Sequence, residues 1–141
     1  MKITDISTLF LRLALASGFL SAVAARLNLW GKRVSVSEAW TSFLNYTAEV
    51  NSFLPKNFIP TIAVLATIME TGLAILLLVG FKTSYASLGA GILLLLFALA
   101  MTYSYGIKEP LDYSVFAASA GAFLLTTVPV HKWSIDQLLI K

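Results

Sequence analysis

Apolar residues run almost unbroken through four stretches of the chain: Ile6 to about Leu27, Phe58 to Gly80, Ser84 to Gly106 and Pro110 to about Val128. About 20 helical residues cross a hydrocarbon layer about 30 Å thick, so each stretch is long enough to span a membrane. Residues that helices use at their ends separate them: Pro55 and Pro60 before the second, Gly80-Phe81-Lys82 after it, and Gly106 to Pro110 between the third and fourth. Such short connections make neighbouring spans antiparallel. The pattern predicts an all-α integral membrane fold, an antiparallel four-transmembrane-helix bundle forming a single domain over residues 1–141. An even number of crossings would place both termini on the same side. Ala22-Val23-Ala24 has the small-x-small form of a leader cleavage site, but Arg12 interrupts the apolar run, which is therefore read as the first span.

The connection between the first two spans has a different period. Ser35-Val36-Ser37-Glu38 matches a capping box, in which hydroxyl and carboxylate each satisfy a backbone donor of the first turn. Beyond it Val36, Trp40, Phe43, Leu44, Thr47, Val50 and Leu54 share one helical face, with Glu38, Ser42, Asn45, Glu49 and Ser52 opposite. An amphipathic helix over about 36–54 is expected in this loop. Its polar face carries Glu and no Lys or Arg, so attraction to anionic lipid does not hold it in place. It is a lid over the mouth of the bundle, favoured over an anchor on the membrane surface, or a filler of the gap there. The tail from Pro129 to Lys141, with Trp133, Ile135, Leu138, Leu139 and Ile140, reads as a second, shorter interfacial piece.

Composition agrees with a membrane setting. Of 141 residues 58% are hydrophobic and only 12% charged, where an ordinary domain has about a quarter charged. The chain has no Cys and a single histidine, His131, which removes thiol chemistry, iron–sulfur clusters, bis-His haem ligation and a self-contained zinc site. His131 is expected to be a solvated interfacial residue. The net charge of +3 comes from dispersed basic residues, which gives no patch for nucleic acid. Lys2, Lys82, Lys132 and Lys141 flank one end of the spans and Arg26, Lys32, Arg33, Lys56 and Lys108 the other, so the positive-inside rule leaves the orientation open.

Charges within the spans carry the candidate chemistry, since each costs about 2.5–3.5 kcal/mol near mid-membrane on insertion scales. Glu70 lies near the middle of the second span, on a face made of Ala63, Ala66, Thr67 and Ala74, and should point into the bundle. Arg12 lies within an extended side chain's reach of its level, so Arg12 and Glu70 are expected to touch or to share a ligand. Arg26 shares the face of Arg12 and should meet Asp112 at the start of the fourth span, rimmed by Tyr103 and Tyr113. Arg12, Glu70, Thr67, Arg26, Asp112, Tyr103 and Tyr113 are thus the candidate ligand-binding residues. Structural ion pairing is the alternative for both pairs, and Asp112 also suits a helix N-terminus. Ser87, Gly91 and Ala98 in the third span, and Ala117, Ala118, Gly121 and Ala122 in the fourth, read as packing seams.

Leu11-Arg12-Leu13-Ala14, Met69-Glu70-Thr71-Gly72-Leu73 with the following Leu76 to Thr83, and Glu109-Pro110-Leu111-Asp112-Tyr113-Ser114 resemble motifs of the DoxX family, and the resemblance extends over nearly the whole chain. The Gly and Lys of that family toward the end of span one are replaced by Ala24-Ala25-Arg26. The resemblance implies a four-helix protein of the bacterial cytoplasmic membrane. On function the resemblance divides, and the first reading, motivated by the Arg12 and Glu70 pair on a small-residue face, is an accessory subunit of a redox or stress-response assembly, with a soluble or membrane redox partner and a pocket for a quinone or other lipid. A non-enzymatic assembly or scaffold protein is the second reading. A small transporter is a third, less supported because no span has the internal Pro and Gly break of midplane ion sites.

Overall fold

The computed structural model describes residues 2–31 and 33–140. Lys32 and Lys141, two of the flanking charges, lie outside the described residues together with Met1. Among the described residues every regular element is helical: α1 (Ile3–Arg26), α2 (Val36–Val50), α3 (Ile59–Val79), α4 (Thr83–Tyr105), α5 (Lys108–Asp112), α6 (Val115–Thr126) and α7 (Ile135–Leu139), with one 3-10 turn at Lys56–Phe58 before α3. Three of these helices are long and apolar enough to cross a membrane: α1, α4, and α3 together with the turn before it.

The fourth apolar stretch differs from the expected single helix over 110–128. It forms α5 and α6, separated at Tyr113 and Ser114, where Ser114 takes a left-handed conformation at φ 56°. The amphipathic helix begins where the capping box puts it. The Glu38 amide donates to Ser35 Oγ at 3.1 Å, and the Ser35 amide donates to Glu38 Oε2 at 2.7 Å. These bonds hold the Glu38 carboxyl below its ordinary pKa. The helix ends at Val50, four residues earlier than expected, in a turn through Asn51 to Leu54.

Small residues let the helices approach closely. Ala16, Ala63, Ala74, Ala90, Ala98 and Ala122 are fully buried, while Leu65, Ile68, Met69, Ile75 and Val79 on the other side of α3 are exposed, as a lipid-facing surface would be. The seam between α4 and α6 forms at Gly91, whose carbonyl accepts from Ser119 Oγ at 2.8 Å. A methyl group there would stand 2.9 Å from the Phe123 ring. Leu15, Phe19, Leu77, Leu93 and Leu125 complete a core shared by α1, α3, α4 and α6. α2 packs across α1, α3 and α4, with Thr47 and Val50 buried and Trp40, Phe43 and Leu44 half-buried.

Candidate functional site

Glu70 faces inward on the small-residue side of α3 and is 1% exposed. Its partner is Arg26, the last residue of α1, not Arg12. Arg26 Nη2 lies 2.8 Å from Glu70 Oε2 and donates to Oε1 at 3.0 Å, while Nη1 donates to Thr67 Oγ1 at 3.0 Å. The Thr67 hydroxyl donates in turn to the Ala63 carbonyl at 2.8 Å. Phe43 of α2 covers the pair, its ring centroid 3.8 Å from Arg26 Cζ. A residue at the end of α1 thus meets one near the middle of α3, which the general lean of helical side chains toward the start of their own helix favours.

Arg12, also 1% exposed, serves the far end of α3. Its Nε donates to the Leu77 carbonyl at 3.0 Å and Nη2 to the Leu78 carbonyl at 3.2 Å, while Nη1 donates to the Lys132 carbonyl at 3.1 Å. Leu77 and Leu78 belong to the last turn of a helix, whose carbonyls lack intrahelical donors and carry the negative end of the dipole. These acceptors compete with Glu70 for the guanidinium, so the expected Arg12–Glu70 contact does not form.

The same junction draws in the tail. Asp136 accepts from the Lys82 amide at 2.6 Å and the Thr83 amide at 2.7 Å, satisfying donors at the start of α4, and its own amide donates to the Gly80 carbonyl at 2.9 Å. Burial works against the Asp136 carboxylate, but the bonds from Thr83 and Lys82 outweigh it and hold its pKa below the ordinary value. His131, expected in solvent, is instead 4% exposed, with neither ring nitrogen hydrogen-bonded to another described residue. Burial lowers its pKa, as does the nearby Arg12, with Asp136 opposing. The tail therefore ties down the α3–α4 turn.

The second expected pair is also absent. Asp112 is exposed and paired with Lys108, one helical turn earlier in α5, which leaves Arg26 to Glu70. Tyr103 packs edge-on against Phe53 at 5.1 Å.

Beside the Arg26–Glu70 pair lies a cavity of about 1060 Å³, walled by α1, α2, α3, α4, α6 and Tyr113. Arg26 and Glu70 are the charged residues among its lining. Leu65 and Met69 of α3, and Leu96 and Leu99 of α4, line it and are also exposed, so the cavity reaches the outer surface along these helices. Tyr46, Tyr103 and Tyr113 supply phenolic rims. The Tyr46 phenol is pushed above its ordinary pKa by burial and by the nearby Tyr113 and Glu109, with Arg26 opposing. Among the candidate residues, Glu70, Arg26, Tyr103 and Tyr113 line one cavity; Thr67 supports Arg26 from behind, and Arg12 and Asp112 lie elsewhere. Asp136 was missed by sequence reasoning, although Ser134, which accepts from the Gln137 amide at 3.1 Å, marks a helix start beside it.

No protein-family model matches the chain, and neither a curated protein nor a solved structure matches it.

Proposed function

We propose that the chain is a DoxX-like accessory subunit of a membrane redox or stress-response assembly, and that it binds a lipophilic, quinone-like ligand beside Arg26 and Glu70. The observation that carries this reading is the large apolar cavity with one buried Arg–Glu pair in its wall. Ligand sites are commonly apolar clefts with a few placed polar groups, and openings on α3 and α4 would admit a ligand from the bilayer. The chain crosses the membrane four times as an antiparallel bundle, with both termini on one side. Supporting this, α1, α3 and α4 are long and apolar enough to cross, and α6 is a shorter apolar helix of 12 residues packed beside α4. The membrane is the bacterial cytoplasmic membrane, and a soluble or membrane redox partner would exchange electrons with the ligand. Binding of ubiquinone-2 to the purified protein in detergent tests the site. Wild type should bind and Arg26→Ala and Glu70→Gln should bind at least about tenfold more weakly; equal binding by all three would place the ligand elsewhere.

A scaffold protein without a ligand is the second reading, favoured by the mutual satisfaction of Arg26 and Glu70 at 2.8 Å. It expects a stably folded Arg26→Glu, Glu70→Arg exchange to retain assembly function.

A further inference from the structure

A second cavity, of about 940 Å³, lies at the other end of α1 from Arg26, between the start of that helix, the segment that follows α6 and the tail. Lys2 and Lys132, from opposite ends of the chain, both line it and both are exposed. A buried charge holds the tail side of it. Arg12 Nη1 donates to the Lys132 carbonyl at 3.1 Å and to the Trp133 carbonyl at 3.4 Å, so this backbone is held from inside while the Lys132 and Trp133 side chains are exposed. Trp133 takes φ 50°, a left-handed conformation that bulky residues rarely adopt, and its amide donates to Gln137 Oε1 at 3.0 Å. Both backbone groups of a strained residue are therefore bonded, which fixes an exposed tryptophan at the wall of the cavity. Backbone strain of this kind gathers at ligand sites.

The charge of the cavity points to an anion. Neither lysine forms an ion pair with a described residue. Asp5 is the acidic residue among the lining, and its carboxylate accepts from the Lys2 amide at 3.0 Å at the start of α1, where the helix dipole also favours it. Two ammonium groups thus stand against one engaged carboxylate.

The position of the cavity points to a lipid. α1 is long and apolar enough to cross a membrane and begins at Ile3, so Lys2 stands where hydrocarbon gives way to headgroups, the level at which tryptophan also collects. Val130, which is exposed, adds apolar lining on the same side as Trp133. Basic pockets between membrane helices are suited to anionic headgroups.

We propose that this cavity binds the headgroup of an anionic phospholipid, with its phosphate between Lys2 and Lys132 and its glycerol against Trp133. The site is separate from the Arg26–Glu70 cavity and does not depend on what that cavity binds. A choline lipid carries the same phosphate, but its quaternary ammonium would meet two lysines and a carboxylate that is already engaged.

Native mass spectrometry of the full chain from detergent tests it. Dioleoylphosphatidylglycerol is compared with dioleoylphosphatidylcholine, which has the same chains, and glycerol 3-phosphate serves as the soluble phosphate. The wild type should prefer the glycerol lipid at least about tenfold. Lys2→Gln and Lys132→Gln, both at exposed positions, should each lower its affinity about fivefold and together bring the ratio of the two lipids close to one. The double variant Lys56→Gln, Lys108→Gln, which removes the same charge outside this cavity, should leave the ratio unchanged. Equal binding of the two lipids by the wild type overturns the proposal, as does a preference that survives loss of both Lys2 and Lys132. An equal fall in the Lys56, Lys108 variant would mean that net charge, not this cavity, sets the preference. Glycerol 3-phosphate bound as tightly as the glycerol lipid would overturn the lipid assignment in favour of a soluble phosphate.

Discussion

Arg26 closes on Glu70 at 2.8 Å across α1 and α3, and the pair is held in place by Thr67 on one side and the Phe43 ring on the other. A charged pair so deeply buried stabilises mainly by comparison with its broken forms. Removing one partner strands the other charge in an apolar wall, at a cost of about 3–5 kcal/mol, whereas replacing both with apolar residues is often neutral or better. Arg26→Met and Glu70→Leu are each expected to lower thermal stability in detergent markedly, and the double substitution to recover most of the loss. Additive losses in the double variant would show that the two residues do not act as a pair.

Arg12 ties three segments together, and its replacement should be felt in all of them. Arg12→Ala leaves the Leu77, Leu78 and Lys132 carbonyls without their donors. Hydrogen bonds from charged groups are each worth about 1.5–3 kcal/mol, so a loss of at least about 2 kcal/mol is expected. The loss should come with faster proteolysis around Lys132, measured by limited trypsin digestion. Arg12→Lys, with a single point charge in place of the planar fork, should restore only part of it.

Much of this arrangement is legible in the residues. The small face of α3 points Glu70 inward, the capping box starts α2, and the buried side of α2 carries the apolar face expected of it. Partner choice was not legible. Arg12 and Arg26 lie fourteen residues apart on one face, about 21 Å, and both can be argued toward Glu70 from helix positions alone. What separates them is the supply of main-chain acceptors near Arg12, which exists only once Gly80 ends α3 and the tail folds back over the turn. Arg26 and Asp112 fail to meet for a similar local reason, since Lys108 lies one turn from Asp112 on the same short helix. His131 looked solvated because nothing in its neighbours reports that Asp136 would dock the tail.

Gly80 is the hinge of that docking. It adopts φ 66°, and a Cβ there would collide with Arg12 Nη2 and the Ser134 side chain. Gly80→Ala therefore combines a left-handed conformation costing about 1–2 kcal/mol with displacement of a buried guanidinium. It should destabilise the protein about as much as Arg12→Ala does, and the double variant should lose less than the sum of the two, because both break one junction while the backbone cost at residue 80 remains. Fully additive losses in thermal unfolding would separate the two effects.

The tail should respond to pH through His131, which faces Arg12 and Asp136. Its folded-state pKa lies below the ordinary 6.5, so between those two values the undocked tail binds more protons than the docked one. Docking is thus fully favoured above pH 6.5 and weakens as pH falls toward the folded-state value. Asp136 acts in the same direction at lower pH, its contribution present above its ordinary 3.8 and lost as pH falls through its depressed folded-state value. Hydrogen exchange of residues 131–139, corrected for intrinsic rates, should show weaker protection at about pH 5.5 than at about pH 7.5 in the wild type, and no such change in His131→Phe. Equal protection of the wild-type tail at both pH values would mean that His131 is not linked to docking.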